Sequence, residues 1–563
     1  MLRSMGRRAC PIARQLRAGP VRSLISAVIA PTDYTITTPL YYVNAPPHMG
    51  SAYPTIAADT AARYQRLQGR KVRFITGTDE HGEKIALAAA ARGLEPKAHC
   101  DDIAQTYQDL WKQLDIKYDA FVRTTSPAHE ALVVELLKRA WDKDDIYKAN
   151  YEGWYCVDCE EFKDEKEMVG EHMCPTHRKP CQHRKEDNYF FRLSRYQKEI
   201  EALLASDTGF VEPSVRRNEL LALTRDGIRD FSITRSAVKW GIKVPQDPEH
   251  TVYVWFDALV GYLSGLQMLA QPQGLDAPEG EVTGLQAITS RGWPASVHII
   301  GKDILRFHAM YWPGMLLSAG LPLPTQVFGH GFLTRDGLKM GKALGNTLDP
   351  LALVGLYGSD AVRYYLMREI VFGQDGDFSD QRFCDTVNAA LANSLGNMLN
   401  RVLTLIRKFC DGKVTADVTQ IASDHALRVK AGETRRIAGE AYEGLKFNEA
   451  AEAVMSLCAA GNQALQEDQP WTALKKGDAL QKEQAIVILC AVLETARVAA
   501  LVLSPITPSL SLRVYSQLGL SESEFQAATW EDTVWGGLAV GQVLGEPKPV
   551  FERLVAQLDV APA

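Results

Sequence analysis

Residues 37–83 read TTPLYYVNAPPHMGSAYPTIAADTAARYQRLQGRKVRFITGTDEHGE. The run entering this stretch, 34–43, is β-branched, aromatic and almost uncharged, which predicts a buried strand. Pro46 and Pro47 cannot continue strand pairing and force a turn. Beyond it Tyr53, Ile56, Ala57, Thr60, Ala61, Tyr64 and Leu67 recur at helical spacing, so a helix opens at 48–51 and stops at Gly69. A second strand over 71–76 ends in Gly77, Thr78, Asp79, Glu80, His81 and Gly82. A β-α-β unit of this kind belongs to an open parallel sheet, where ligands sit beyond the carboxyl ends of the strands. There His48 and the bare N–H groups of the helix can meet a phosphate, and Gly50 lets a nucleotide lie against backbone. Neither a Walker loop nor a GxGxxG turn is present.

The whole chain, 563 residues, has room for three or more domains. With 23% charged and 46% hydrophobic residues it has ordinary globular composition, and no apolar run of membrane-spanning length is expected. Its net charge of −6 means that any nucleic acid must be met by local basic patches. Residues 1–30 differ from the rest. Arg3, Arg7, Arg8, Arg14, Arg17 and Arg22 all precede the first acid, Asp33, with leucine, isoleucine, alanine and serine between them. That pattern predicts an organellar transit peptide, for mitochondrion, plastid or both.

Ten cysteines in so long a chain make no disulfide framework, yet four of them fall within 156–181. Cys156 and Cys159 form one Cys-x-x-ligand pair, and Cys174 with His177 a second, which predicts a structural Zn²⁺ knuckle. Cys181 is the alternative fourth ligand, with His172 and His183 nearby. Helices are expected across 84–150. Residues 251–262 turn from a strand-like run into a helix, and 297–301 read as another buried strand. At the end of that strand Gly301 permits close backbone approach and Asp303 is placed to bond ribose hydroxyls. A last strand is expected over 324–332, followed by LTRDGLKMGKALGN at 333–346. After 385 the chain is almost all amphipathic helix, an antiparallel bundle with Pro470 and Trp471 in a polar loop.

The PHMGS turn, with TTPLYYVN before it and GTDEHGEK after the next strand, resembles the first signature of class I aminoacyl-tRNA synthetases. Within that class it is most similar to the methionyl enzymes. Residues 338–343, with Lys339 and Lys342, resemble the second signature, Lys-Met-Ser-Lys-Ser, although Gly341 stands for its central serine and Ala343 for its last residue. Ser51 likewise replaces the usual second histidine of the first. The resemblance implies an α/β fold: a Rossmann-like parallel sheet, an inserted zinc-knuckle connective domain and a C-terminal all-α anticodon-binding bundle. The expected divisions are a transit peptide (1–30), the first catalytic half (31–145), the connective insertion (146–245) and the second catalytic half (246–335). They continue with the lysine loop and stem-contact region (336–393), the anticodon-binding domain (394–540) and a tail (541–563).

Site residues follow by resemblance. His48, Gly50, Ser51, Lys339 and Lys342 would act on the triphosphate, and Gly301, Asp303, Leu333 and Met340 would complete the ATP site. Leu40, Tyr42, Asp79, Trp255, Ala258, Leu259, Tyr262, Ile304 and His308 would enclose methionine, with Asp79 on the ammonium. Asn397 and Arg401, at i and i+4 of one helix, would read the CAU anticodon with Trp471. The same place as His177 carries a zinc ligand in some relatives, which favours it over Cys181. The implied reaction forms methionyl-adenylate from ATP and L-methionine, with Mg²⁺, and charges initiator and elongator tRNA(Met). A serine at 51 can still donate to phosphate, so altered rate rather than lost activity is expected. The chain shows no further oligonucleotide-binding domain, so a monomer is expected. Other class I synthetases share both signatures, but the insertion is short for a large editing domain. A small-molecule nucleotidyltransferase would need neither knuckle nor bundle, and a non-catalytic tRNA-binding relative would lose the lysines.

Overall fold

The computed structural model describes residues 32–157, 159–163, 165, 168–175, 178–270, 284–335, 337–340 and 347–556, with backbone alone at Leu338 and Lys339. The expected transit peptide, His177, Gly341, Lys342 and Ala343 lie outside the described residues.

Strand β1 (Asp33–Tyr42) passes through the proline turn into helix α1 (Met49–Leu67), and β2 (Lys71–Asp79) returns parallel to β1, with Tyr42 beside Asp79. Helix α2 (Glu83–Ala91) follows, then β3 (Ala120–Arg123). A long hairpin of β4 (Ile146–Cys156) and β6 (Gln182–Phe191) projects from this half, with short β5 (Glu161–Lys163) along β4. The chain re-enters the sheet at β7 (Val211–Glu212), then supplies helix α3 (Val254–Ala270) and strands β8 (Val297–Gly301) and β9 (Val327–His330). The sheet runs β3-β2-β1-β8-β9-β7, all parallel. Since β1 lies between β2 and β8, connections leave it in opposite directions, and a crevice opens at the carboxyl ends of β1 and β8.

Alternation along the strands builds two cores. Phe74, Phe121 and Ile299 pack with α1 on one face, whereas their neighbours Ile75, Val122 and Ile300 pack with α3 on the other. Two edge strands escape the sequence reading. β3 occupies a region expected to be helical, and β7 lies inside the stretch expected to be wholly inserted. Each is too short, at four and two residues, to carry a readable alternation.

Beyond β9, a small sheet of β10 (Leu333–Arg335), β11 (Leu338–Lys339) and β12 (Gly376–Phe378) carries the stem of the lysine loop, with helix α4 (Ser359–Glu369) between β11 and β12 in the chain. The helical region includes α5 (Asn397–Phe409), α6 (Phe447–Asp468), α7 (Pro470–Lys476) and α8 (Ala479–Leu503). Trp471 therefore sits in the first turn of a short helix rather than in a loop: Gln469 takes a left-handed conformation (φ 40°) and Pro470 starts α7 at a position that needs no N–H donor. Contrary to expectation, α8 is long and apolar enough to cross a membrane, but 83% of its most apolar window is buried inside the protein, as befits a core helix.

Candidate active site

The site begins at the cap of α1. His48 is extended (φ −134°, ψ 173°), and its Nδ1 accepts the Gly50 N–H at 3.0 Å. Ser51 Oγ donates to the His48 carbonyl at 2.7 Å and accepts the His48 N–H at 3.1 Å, closing a reciprocal cap. His48 and Gly50 are exposed, and a Cβ on Gly50 would stand 2.8 Å from the His48 ring. Ser51 is 1% exposed. Its hydroxyl is occupied within the cap, so the expected donation to phosphate is replaced by a role in holding the helix start.

Apolar and aromatic side chains cluster between β1, α3 and the turn after β8. Leu40 packs against Gly261, where any larger residue would collide with it. The Trp255 ring stacks on Phe307 at 4.0 Å and meets His308 edge-on. His308 lies on a π-helical turn (Phe307–Tyr311), wider than an ordinary helix. Its Nδ1 faces the Ile304 carbonyl at 3.0 Å, which can only accept, so Nδ1 carries the proton and Nε2 accepts from the Tyr262 hydroxyl at 2.6 Å. Burial pushes the His308 pKa down to about 4, so the imidazole is neutral near pH 7. Behind it His298, which sequence reasoning passed over, lies between Thr37 Oγ1 at 2.7 Å and the Trp312 indole N–H at 3.3 Å. Ala258 and Leu259 are buried, Leu259 in the core, and Ile304 is half-buried against that core.

At the floor, four carboxylates converge. Asp257, within the apolar run of α3, accepts from His81 Nδ1 at 2.6 Å and His129 Nε2 at 2.5 Å, which holds its pKa down at about 2 despite burial. Glu80 takes Arg123 through Nε at 2.6 Å and Nη2 at 3.0 Å, together with Thr78 and Thr125. Glu160, from the connective hairpin, accepts the Lys84 N–H at 2.9 Å. Asp79 alone among them has a buried oxygen, Oδ1, with no hydrogen-bond partner among the described residues. Burial first, then the nearby Asp257, Glu160 and Glu80, raise its pKa well above the usual carboxylate range. A carboxylate left this way in half-apolar surroundings is complementary to a small organic cation. Asp257 was readable as an acid in an apolar run, a signal that a buried partner was required, whereas His81 was visible only as one of the polar residues ending β2.

On the other side of β1, Gly301 and His330 pair in register at the ends of β8 and β9, and His330 meets Tyr53 of α1 edge-on at 5.7 Å. Asp303 is exposed at the rim. Leu333 is buried in the core, which restricts any ligand contact there to its backbone, and Met340 packs half-buried against the same core. Asp377 pins the stem of the lysine loop, accepting Thr334 Oγ1 at 2.7 Å and the Gly337 N–H at 2.8 Å.

Two remote groups complete the picture. In the bundle, the Arg401 guanidinium lies over the Trp471 ring at 5.6 Å, with exposed Asn397 one turn before Arg401. In the hairpin, Cys156, Cys159 and Cys174 bring their sulfurs within 4.8 Å of one another, and Cys181 is buried in the same cluster. The Cys159 and Cys174 sulfurs are 3.6 Å apart, and the Cys159 N–H points to Cys156 Sγ at 3.4 Å. Three converging soft donors on Cys-x-x turns suit a tetrahedral thiophilic cation.

The model of the class I tRNA synthetases (M) matches residues 34–184 and 172–403, and that of the anticodon binding domain of methionyl tRNA ligase matches 414–559. The chain is 54% identical over 521 residues to the chloroplastic/mitochondrial methionine–tRNA ligase of Arabidopsis thaliana, covering 92% of this chain and 83% of that protein. It is 51% identical to the methionine–tRNA ligase of Thermosynechococcus vestitus, covering 94% and 99% respectively. Its fold matches Mycobacterium tuberculosis methionyl-tRNA synthetase in complex with methionyl-adenylate with a TM-score of 0.85 at 38% identity, over 93% of this chain and 100% of that one. A parallel sheet split around a cluster of apolar and aromatic side chains, joined to a helical module of matching type, thus agrees with extensive identity along the chain, which belongs to the class I methionyl-tRNA synthetase family.

Proposed function

We propose that the protein activates L-methionine with ATP to methionyl-adenylate and transfers the methionyl group to the terminal adenosine of tRNA(Met) in an organelle. The observation that carries this reading is the buried Asp79 Oδ1, without a hydrogen-bond partner among the described residues, together with the cluster of Trp255, Tyr262 and His308. Asp79 takes the substrate ammonium. Leu40, Tyr42, Trp255, Ala258, Tyr262 and Ile304 surround the side chain, and the Tyr262–His308 pair sets polar atoms near the sulfur, which disfavours plain aliphatic isosteres.

No side chain needs to be a nucleophile, because the methionine carboxylate attacks the α-phosphate. Catalysis is positioning plus stabilisation of charge developing on the phosphate oxygens. His48 and the N-terminus of α1 hold the triphosphate, Gly50 and Gly301 let the nucleotide approach backbone, and Asp303 bonds the ribose. Lys339 and Lys342 close over the pyrophosphate as it leaves. Bound Mg²⁺ shares the triphosphate charge. Replacing Lys342 with alanine is expected to slow methionine-dependent ATP–pyrophosphate exchange about 10²-fold with methionine affinity unchanged; unchanged exchange would remove Lys342 from the mechanism.

Asn397, Arg401 and Trp471 read the CAU anticodon of initiator and elongator tRNA(Met). Trp471→Ala should weaken tRNA binding by about 1–3 kcal/mol, as expected for one lost base stack, while leaving exchange intact; equal loss in both assays would contradict the assignment. Cys156, Cys159 and Cys174 hold a structural Zn²⁺, with His177 or Cys181 as fourth ligand, and such a site adds folding energy to a hairpin tip with little core of its own. Residues 1–30 act as the transit peptide, and the catalytic halves 31–145 and 246–335 flank the connective segment 146–245. The Arg-rich, acid-free composition of that leader and the organellar relative support this assignment.

A further inference from the structure

Helix α2 follows directly on the turn that carries Asp79, and it starts without a cap of its own: Gly82, at the capping position, has no side chain to offer and takes φ 114°. The connective insertion supplies the missing contacts. Glu160, the residue after Cys159, adopts a left-handed backbone (φ 53°) and sends its carboxylate away from the cysteines into the catalytic half, where it is 4% exposed. There Oε1 accepts the Lys84 N–H at 2.9 Å. A Cβ on Gly82 would lie 2.6 Å from Glu160 Oε1 and 2.5 Å from the Tyr42 hydroxyl, so glycine is what lets these two groups approach the turn. Arg184, across the hairpin, forks onto the adjacent Glu83 through Nη1 at 2.9 Å and Nη2 at 3.0 Å while lying over the Tyr155 ring. Trp240, at the other end of the insertion, donates its indole N–H to the Glu80 carbonyl at 2.6 Å and accepts the Gly82 N–H at 3.1 Å.

We infer that Glu160 is a positioning residue for the amino-acid pocket: it caps α2 in trans from the cysteine knuckle and so fixes the turn that presents Asp79 and borders Tyr42. This rests on the reading of Asp79 as the ammonium site. It makes the knuckle a brace for amino-acid recognition, with nucleotide binding left to α1 and the lysine loop. An uncapped, buried N–H at Lys84 would loosen the turn, so the defect falls on methionine.

The test compares Glu160→Ala, Glu160→Gln and Arg184→Ala in the full chain, measuring KM for methionine and for ATP by pyrophosphate exchange, methionine affinity by calorimetry and zinc content by metal analysis. Glu160→Ala should raise the methionine KM and dissociation constant roughly tenfold or more, with the ATP KM within about twofold and bound zinc unchanged. Glu160→Gln, whose amide oxygen still accepts from Lys84, should recover most of that loss, and Arg184→Ala should shift methionine in the same direction as Glu160→Ala. An unchanged methionine constant in Glu160→Ala, or equal shifts for both substrates, overturns the inference. If Glu160→Ala does not fold, Arg184→Ala decides it by the same criteria. Wild-type exchange that does not depend on methionine would instead overturn the function itself.

Discussion

Replacing Asp79 with asparagine is expected to lower kcat/KM for methionine in ATP–pyrophosphate exchange by about 10³-fold. The other three carboxylates at the floor already have partners, in His81 and His129, in Arg123, and in the Lys84 N–H. Of the four, only Asp79 presents a buried oxygen with no partner among the described residues. Truncating one side of a buried, hydrogen-bonded charge pair costs about 2–5 kcal/mol, and the change falls mainly on the methionine KM. The pH dependence supplies an independent reading. Asp79 must be ionised to hold an ammonium, and burial together with Asp257 raises its pKa well above the usual carboxylate range. Wild-type kcat/KM for methionine should therefore fall as pH drops through that raised value, and Asp79→Asn should flatten this acid limb. An asparagine variant with the wild-type profile would show that Asp79 is not the group that titrates.

The largest loss of stability is expected at Arg363. This residue of α4 is fully buried and ties three parts of the chain together. Its guanidinium meets Asp59 of α1 at 2.7 Å and donates to the carbonyls of Ile506 at 2.8 Å, Pro505 at 2.9 Å and Leu114 at 3.2 Å. Asp59 in turn takes Arg63 at 2.7 Å and the Lys117 N–H at 2.8 Å. Arg363→Ala removes four contacts at once and leaves buried acceptors without donors, a cost of about 3–5 kcal/mol. Arg363→Lys should recover little of it, because a single ammonium cannot span the planar fork. Urea unfolding of the three proteins measures this directly; a lysine variant as stable as wild type would contradict the fork.

Local sequence carried the β-α-β frame because its signals are local: an apolar run, two prolines and a helical period are each readable within 20 residues. The pocket residues at Trp255, Tyr262 and His308 were legible through family likeness, and the structure brings their rings together. What escaped depends on partners distant in the chain. Asp257 and His129 are 128 residues apart, and Glu160 lies 76 residues from Lys84, so neither compensation leaves a local mark. Ser51 was expected to donate to phosphate in place of the usual histidine, whereas its buried hydroxyl turns inward to the helix cap. Trp471 was placed in a polar loop between helices, although Pro470 at a first helical position starts a short helix there.

Strand ends from both halves of the split sheet are proposed to surround a single adenylate, and a crystal structure with a non-hydrolysable methionyl-adenylate analogue is the decisive measurement. The ligand ammonium is expected about 3 Å from Asp79 Oδ1, the thioether among Trp255, Tyr262 and His308, and the nucleotide against Gly50 and Gly301. An analogue bound with its ammonium away from Asp79, or with its adenosine remote from the start of α1, would contradict it.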